Sequence, residues 1–292
     1  MRYRILLRTN YRYTTPVRFA RHALRLLPPD GSGQRVVDSR LQVDPAPYQH
    51  EETRDFFGNR VVQLALEKPH SRLSIRMEAE VDVFREAPSV LEASPTWEAV
   101  RDEAIVSADS GPLAPAHYMH PGSHTGASDE LVGFARQHFR AGRPLLSAAF
   151  DLACAIHREF EYAPGATDVD TTAVQGWGLR RGVCQDFTHI MLAAMRSLGL
   201  PSAYVSGLLR TRPPPGMARL EGADAMHAWV SVWVGDAAGW VDIDPTNAVL
   251  AARNHIRIGV GREYADVAPI DGVIIVSGDQ AHDVAVDVVP VE

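Results

Sequence analysis

Apolar and polar positions alternate in short runs through roughly the first 85 residues, the period-two pattern of half-buried strands. Leu41-Gln-Val43, Val61-Val-Gln-Leu-Ala-Leu66 and Leu73-Ser-Ile-Arg-Met-Glu-Ala-Glu-Val81 carry the pattern. Pro28-Pro-Asp-Gly-Ser-Gly33, Asp44-Pro45 and Phe57-Gly58-Asn59 punctuate it with turn residues. No chemically reactive side chains converge there, so residues 1–90 are expected to form an N-terminal, sandwich-like all-β domain. Beyond it the period lengthens to that of helices at Trp97–Ser107, Asp129–Arg140 and Pro144–Phe160. The intervening stretch Asp109–His124, rich in Pro, Gly, His and Ser, reads as a structured linker or lid loop. His117, His120 and His124 would share a helix face and offer zinc three imidazoles, but Pro121-Gly122 interrupts that helix between the ligands. Residues 91–143 are therefore expected to be a helical and loop linker, and 144–292 a core with C-terminal strands.

Within that core, Thr171 or Thr172 is placed to N-cap a short helix. Cys184–Leu198 is the strongest helical pattern, with Phe187, Ile190, Met191, Ala194, Met195 and Leu198 at i, i+3, i+4 spacing. Gly199 and Pro201 stop it. Strands follow at Ser202–Leu209, His227–Val234 and Trp240–Ile243, then again at Val273–Val276 and His282–Val291. A Pro-rich loop, 211–224, separates the first two.

Composition narrows the function classes. A chain of 292 residues has room for two domains, and 46% hydrophobic residues is ample for their cores. The formal charge of −7 argues against nucleic acid or an anionic membrane as partner, since both require a basic footprint. No apolar run approaches the roughly 20 residues of a membrane span. Arg2, Arg4, Arg8 and Arg12 interrupt any signal-peptide core at the N-terminus. Two cysteines, Cys154 and Cys184, are too few for a disulfide framework, and a cytoplasmic location with reduced thiols is the expectation.

The chemistry gathers around Cys184. It follows Gly182-Val183 and opens a helix, where the positive end of the macrodipole and exposed N–H groups favour a thiolate. Cys154, by contrast, sits among Leu145, Phe150, Ala153 and Ile156 as a small hydrophobe. A nucleophilic thiol needs a base. His189 lies five residues along the helix, rotated about 140° from Cys184, which removes it. His227 opens an apolar strand and is the better base. On the next strand Asp244 shares its face: a two-residue turn sets Asp244 directly opposite His227, and a four-residue loop makes it a diagonal neighbour. Asp242 has the same parity and would face Trp229 in the shorter hairpin. A five-residue loop would put Asn247 opposite instead. Pro245 ends the ladder and leaves Asp244 at the strand terminus.

Three spaced motifs, Gly182-Val-Cys-Gln-Asp-Phe-Thr-His189, His227-Ala-Trp-Val230 and Gly239-Trp240 with Asp244-Pro-Thr-Asn247, resemble the bacterial transglutaminase-like family. Tyr13-Thr-Thr-Pro-Val17, Leu24-Arg-Leu26 and Asp55-Phe-Phe-Gly-Asn59 are similar to the β-rich region that precedes this core, and Gly261-Arg-Glu-Tyr-Ala-Asp266 to its C-terminal segment. The resemblance implies an α+β, papain-like transglutaminase core after an N-terminal β domain. It also implies Cys184 as nucleophile, His227 as base and acid, and Asp244, the aspartate before Pro-Thr-Asn, as the residue that orients the imidazole. The implied reaction is attack on an amide carbonyl and an acyl-thioester intermediate. A peptide or protein substrate follows, with no cofactor and no metal. Trp177 or Tyr162 would supply a second oxyanion donor, and loop 211–224 is a candidate gate. Water is the expected acyl acceptor. The alternatives are an amine acceptor, in a protein-glutamine transamidase, or a non-catalytic peptide-binding module. Lys68, the sole lysine, leaves such an enzyme poorly placed to cross-link itself.

Overall fold

The computed structural model describes residues 1–211, 222 and 224–291. Six strands come first: β1 (Arg2–Val17), β2 (Phe19–Leu24), β3 (Gln34–Asp44), β4 (Gln49–Arg54), β5 (Arg60–Leu66) and β6 (His70–Val83). Their alternation is strict where it matters. Tyr3, Ile5 and Leu7 of β1 and Leu73, Ile75 and Met77 of β6 turn inward against Val62, Leu64 and Leu66 of β5, all nearly or fully buried. Helices α1 (Trp97–Val106), α2 (Asp129–His138) and α3 (Leu145–Glu159) follow, within a few residues of their periodic patterns. The linker between α1 and α2 contains one turn of 3₁₀ helix, Pro115–Tyr118.

The elements of the α+β core come next. Strand β7 (Glu161–Tyr162) pairs in parallel with β8 (Arg181–Gly182) and brackets α4 (Ala173–Leu179). Thr172 caps α4: its Oγ1 accepts from the Gln175 N–H while Gln175 Oε1 accepts from the Thr172 N–H, a reciprocal capping box. Helix α5 (Cys184–Arg196) then lies across a five-stranded antiparallel sheet made of β9 (Ser202–Leu209), β10 (Ala225–Trp233), β11 (Trp240–Asp244), β12 (Val249–Leu250) and β13 (His255–Gly261), in the order β12-β11-β10-β9-β13. Phe187, Ile190, Met191 and Ala194 bury one face of α5 against Ala228, Val230 and Val232 of β10. Burial at roughly 1.5–3 kcal/mol per large apolar side chain makes this contact the main hold on the helix.

After the short α6 (Tyr264–Val267), the last strands β14 (Ile270–Ile275) and β15 (Gln280–Val291) leave the core. This corrects the expected 144–292 unit. β15 pairs with β1 from Arg2↔Val291 to Tyr13↔Gln280, and β14 pairs with β2, so each completes one of two four-stranded sheets, β15-β1-β6-β3 and β14-β2-β5-β4. The alternation of both segments is right for strands, but strand pairing is non-local and their partners lie more than 240 positions upstream.

The sandwich also guards the free edge of the core sheet. β13 is an edge strand, and its outward backbone groups are met by two side-chain amides. Gln34 Nε2 donates to Arg257 O at 2.8 Å while Arg257 N–H donates to Gln34 Oε1 at 2.9 Å. Asn59 does the same at Val260, with both bonds at 2.8 Å. Each amide thus imitates a paired residue and closes the edge to other strands.

One glycine is required by this packing. A Cβ on Gly207 of β9 would run into the Ile256 carbonyl oxygen and the Trp229 ring, neither of which has room to yield. Gly207→Ala should therefore cost about 1–3 kcal/mol through overpacking. A lower thermal midpoint, by several degrees in a calorimetric scan, is the expected result.

Candidate active site

Cys184 is the first residue of α5 and is half-buried. The helix begins there because Asp186, at its third position, turns a carboxylate back: Asp186 Oδ2 accepts from the Val183 N–H and from Thr167 Oγ1, each at 2.7 Å. Gly182 leaves room for that carboxylate, since a Cβ there would fall 2.8 Å from Asp186 Cβ. Burial raises the Asp186 carboxyl above its ordinary range despite these bonds. The thiol is thereby set at the positive end of the helix.

His227, near the start of β10, is 8% exposed. Its Nε2 lies 2.8 Å from Asp244 Oδ2, and the Cys184 side chain is near enough to interact electrostatically with the ring. With Nε2 committed to the carboxylate, Nδ1 is the nitrogen left for the thiol. Burial alone would push the imidazole down, but the bonds and charge attraction from Asp244 and Cys184 outweigh it and raise the ring to about 10.

Asp244 is fully buried at the end of β11. Pro245 has no N–H to continue the ladder, and the chain turns on the aspartate itself: Oδ1 accepts from Thr246 N–H at 2.9 Å and Asn247 N–H at 3.2 Å. Oδ2 accepts from His227 Nε2, from Asn247 Nδ2 at 2.7 Å and from His255 Nε2 at 3.1 Å. Burial disfavours the anion, yet the bonds from His227, His255 and Asn247 hold its carboxyl well below the usual carboxylate range. An ionised carboxylate only accepts, so both Nε2 atoms carry their protons.

Residues 3–82 match the bacterial transglutaminase-like N-terminal region, and residues 133–245 match the transglutaminase-like superfamily. Uncharacterized proteins of Mycobacterium bovis and Mycobacterium tuberculosis are 38% identical over 300 residues, covering 100% of this chain and 93% of their own. A Mycobacterium leprae protein is 31% identical over 288 residues, covering 98% of each. The chain belongs to the transglutaminase-like superfamily. The crystal structure of a candidate cysteine protease from Cytophaga hutchinsonii shares the fold, with a TM-score of 0.76 at 22% identity over 100% of this chain and 92% of that one.

The hairpin of this transglutaminase-like core selects between the two registers open to it. Val234 N–H bonds to Gly239 O, which leaves a four-residue loop, and the register runs through Trp233↔Trp240 to Val230↔Ile243. His227 and Asp244 are therefore diagonal neighbours on one face, and the directly opposed arrangement of the shorter turn is not the one formed. Asp242 pairs across from Ser231 and serves a different set of groups. It accepts from Trp229 Nε1 at 3.0 Å and from Arg257 Nη2 at 2.8 and 3.1 Å, with Arg85 Nε 3.7 Å away. Burial raises it, but the two guanidiniums prevail and its carboxyl is lowered.

The remaining candidates separate clearly. His189 is fully buried, takes the Tyr264 N–H on Nε2 at 3.2 Å, and is pushed by burial to about 3, so it stays neutral. Burial also pushes the Cys154 thiol up. Trp177 is buried against Phe134 and Phe160 beneath the Arg180 guanidinium, a packing position. Tyr162 is more than half exposed, and partial burial of its ring together with charge repulsion from the Cys184 side chain raises its hydroxyl. His117 packs edge-on against Phe56, while His124 stacks on His189 and faces Glu263. Most of loop 211–224 lies outside the described residues; Thr211 N–H and Oγ1 both bond Asp224 Oδ1 at 2.7 Å at its base. Two residues escaped the sequence reading: His255 as a partner of Asp244, and Asn247 as a donor to it rather than a stand-in for it. His227, Asp244 and His255 place three ligand atoms within 4.8 Å of one another, but an ion there would have to displace two N–H···O bonds.

Two outcomes follow. Asp242→Asn strands two buried guanidiniums and should cost about 3–5 kcal/mol, read as a lowered midpoint in urea unfolding. His227 has a folded-state pKa raised from 6.5 to about 10, so its contribution is fully present below pH 6.5 and is lost as pH rises toward 10. Stability should fall across that window, and His227→Gln should flatten the decline.

Proposed function

We propose that the chain is a cysteine-dependent hydrolase of amide or peptide bonds in a peptide or protein substrate. The observation that carries this reading is the buried His227 ring, bonded through Nε2 to a saturated, ionised Asp244 and near enough to the helix-opening Cys184 to interact with it electrostatically. Such a ring can hold the thiol's proton as imidazolium, leaving a thiolate at the positive end of α5.

In the proposed reaction the Cys184 sulfur attacks the scissile carbonyl carbon. The resulting oxyanion is met by the N–H groups that open α5 and by the Tyr162 hydroxyl. His227 passes its proton to the departing amine as the C–N bond breaks, leaving an acyl-thioester. Water then adds to the thioester carbonyl and gives a proton to His227. Collapse of that adduct breaks the C–S bond, releases the carboxylic acid and returns the starting pair. Asp244 stays ionised throughout and keeps His227 in one tautomer. The mechanism needs a free thiol, which suits a reduced, cytoplasmic setting, and both cysteines are unpaired. Among the described residues no helix is long and apolar enough to cross a membrane.

Incubation with a peptide library, with and without a primary amine, tests the reading by mass spectrometry. New carboxyl termini or deamidated glutamines support water as acceptor, and amine adducts at glutamine turn the assignment to a transamidase. No turnover, with Cys184 as slow toward iodoacetamide as Cys154, would leave only a peptide-binding module. Cys184→Ala should abolish turnover while keeping the thermal transition. Asp244→Asn should lower turnover at least a hundredfold more than Asp242→Asn, given the roughly 10⁴-fold cost of the orienting carboxylate in serine proteases.

A further inference from the structure

We propose that His255 is a positioning residue for this site: its Nε2–H pins the same Asp244 oxygen that receives His227, and so fixes the carboxylate against which the imidazole is aligned. The proposal rests on the hydrolase reading and adds to it a residue beyond the 133–245 segment that matches the superfamily core.

The contact is long-range in the sheet. His255 opens β13, which is separated from β11 by β9 and β10. Its ring reaches Asp244 Oδ2 at 3.1 Å from the far edge, while His227 reaches the same atom at 2.8 Å. Both rings are under 10% exposed. The surroundings hold His255 in place. Trp229 meets it edge-on at 5.1 Å between centroids, and lies against Gly207, where there is no Cβ to displace it. Arg85 Nη1 donates to the His255 carbonyl at 3.0 Å, and the His255 N–H bonds to Ala252 O.

A ring kept for packing alone would be better replaced by an apolar one, because His255 Nδ1 is buried without a hydrogen-bond partner. Among the described residues, the ring's single hydrogen bond is the one to Asp244. Asn247 sits on the turn that follows Asp244 and moves with it. His255 instead ties the carboxylate to the opposite edge of the sheet, as outer-shell partners fix the orientation of catalytic ligands elsewhere.

The test uses the full-length chain and iodoacetamide, with Cys184 carbamidomethylation followed by peptide mass spectrometry from pH 5 to 9 and Cys154 as internal reference. The groups facing the pair are Asp244 on β11, Asp186 on α5, Tyr162 on β7 and Tyr204 on β9, and Arg85 meets the His255 backbone. None of these is altered in the variants. Wild-type Cys184 should react with an inflection well below the ordinary thiol value of about 8.5. In His255→Leu, which fills space without a donor, the inflection should move up toward that value and the rate at pH 6.5 should fall at least tenfold. His255→Gln, which keeps an N–H at similar reach, should recover most of the rate.

A folded leucine variant with wild-type rate and profile overturns the proposal, as does a glutamine variant as slow as the leucine one. An inflection that moves down also overturns it, because His255 would then be drawing charge from Asp244 rather than aligning it. Wild-type Cys184 no faster than Cys154 overturns the hydrolase reading and this role together. If the leucine variant does not fold, nitrogen-15 NMR of the wild type decides: a neutral His255 protonated on Nε2, with a downfield proton that disappears in Asp244→Asn, supports the role, and protonation on Nδ1 alone removes it.

Discussion

A fully buried carboxylate must be satisfied at every lone pair or it will not stay ionised. Asp244 meets that condition with five donors on two oxygens. The constraint propagates outward. Pro245 must end the strand so that the following N–H groups can turn back to Oδ1. β10 and β11 must pair in a register that keeps His227 and Asp244 on one face, which their four-residue loop does by setting them on the diagonal. β13 must lie close enough, across two intervening strands, for a second imidazole to arrive. Each of these failing would take donors away from a buried charge and disfavour its ionised form.

Two carboxylates stand two positions apart on one face of β11, and their partners give them opposite characters. Asp242 faces guanidiniums from Arg257 and Arg85, which do not release their protons, so it forms a permanent ion pair that ties β11 to β13 and to the end of the sandwich. Asp244 faces imidazoles, which unlike a guanidinium can hand a proton on to a reacting group. Residue type alone does not distinguish them. What separates structure from chemistry on this strand is whether the cation opposite can let go.

The helices and the strands with clear alternation were legible because amphipathic periodicity is a local property, but β3 starts at Gln34 rather than Leu41, and the pattern does not single out β1, β2, β4 and β13. The Cys184–His227–Asp244 neighbourhood was legible for a related reason. A helix start, a strand start and a strand end are each marked by their own residues, Gly182, the break before His227, and Pro245. The hairpin register was only narrowed, since both a two-residue and a four-residue loop keep Asp244 on the face of His227 and only the closure at Val234 and Gly239 decides between them. His255 was invisible for a stronger reason. Its contact crosses two strands whose order no short-range pattern records. The same non-locality hid the return of β14 and β15 to the first sheets.

That return also explains why the N-terminal β unit and the core behave as one structure rather than two joined by a linker. β13 is the edge of the core sheet, yet it carries His255 and Arg257, the residues that hold the two carboxylates. An exposed edge strand is the part of a sheet most free to fray or to pair wrongly. Gln34 and Asn59 occupy its backbone, Arg85 takes the His255 carbonyl, and Leu208, Ile256 and Ile258 pack into the sandwich's own apolar core. The sandwich is in turn closed by strands that reach it only after the core is complete. The rigidity of the site at β13 is therefore supplied by a unit that contributes no side chain to the proposed chemistry, and loosening that unit would be felt first at the imidazole ring of His255.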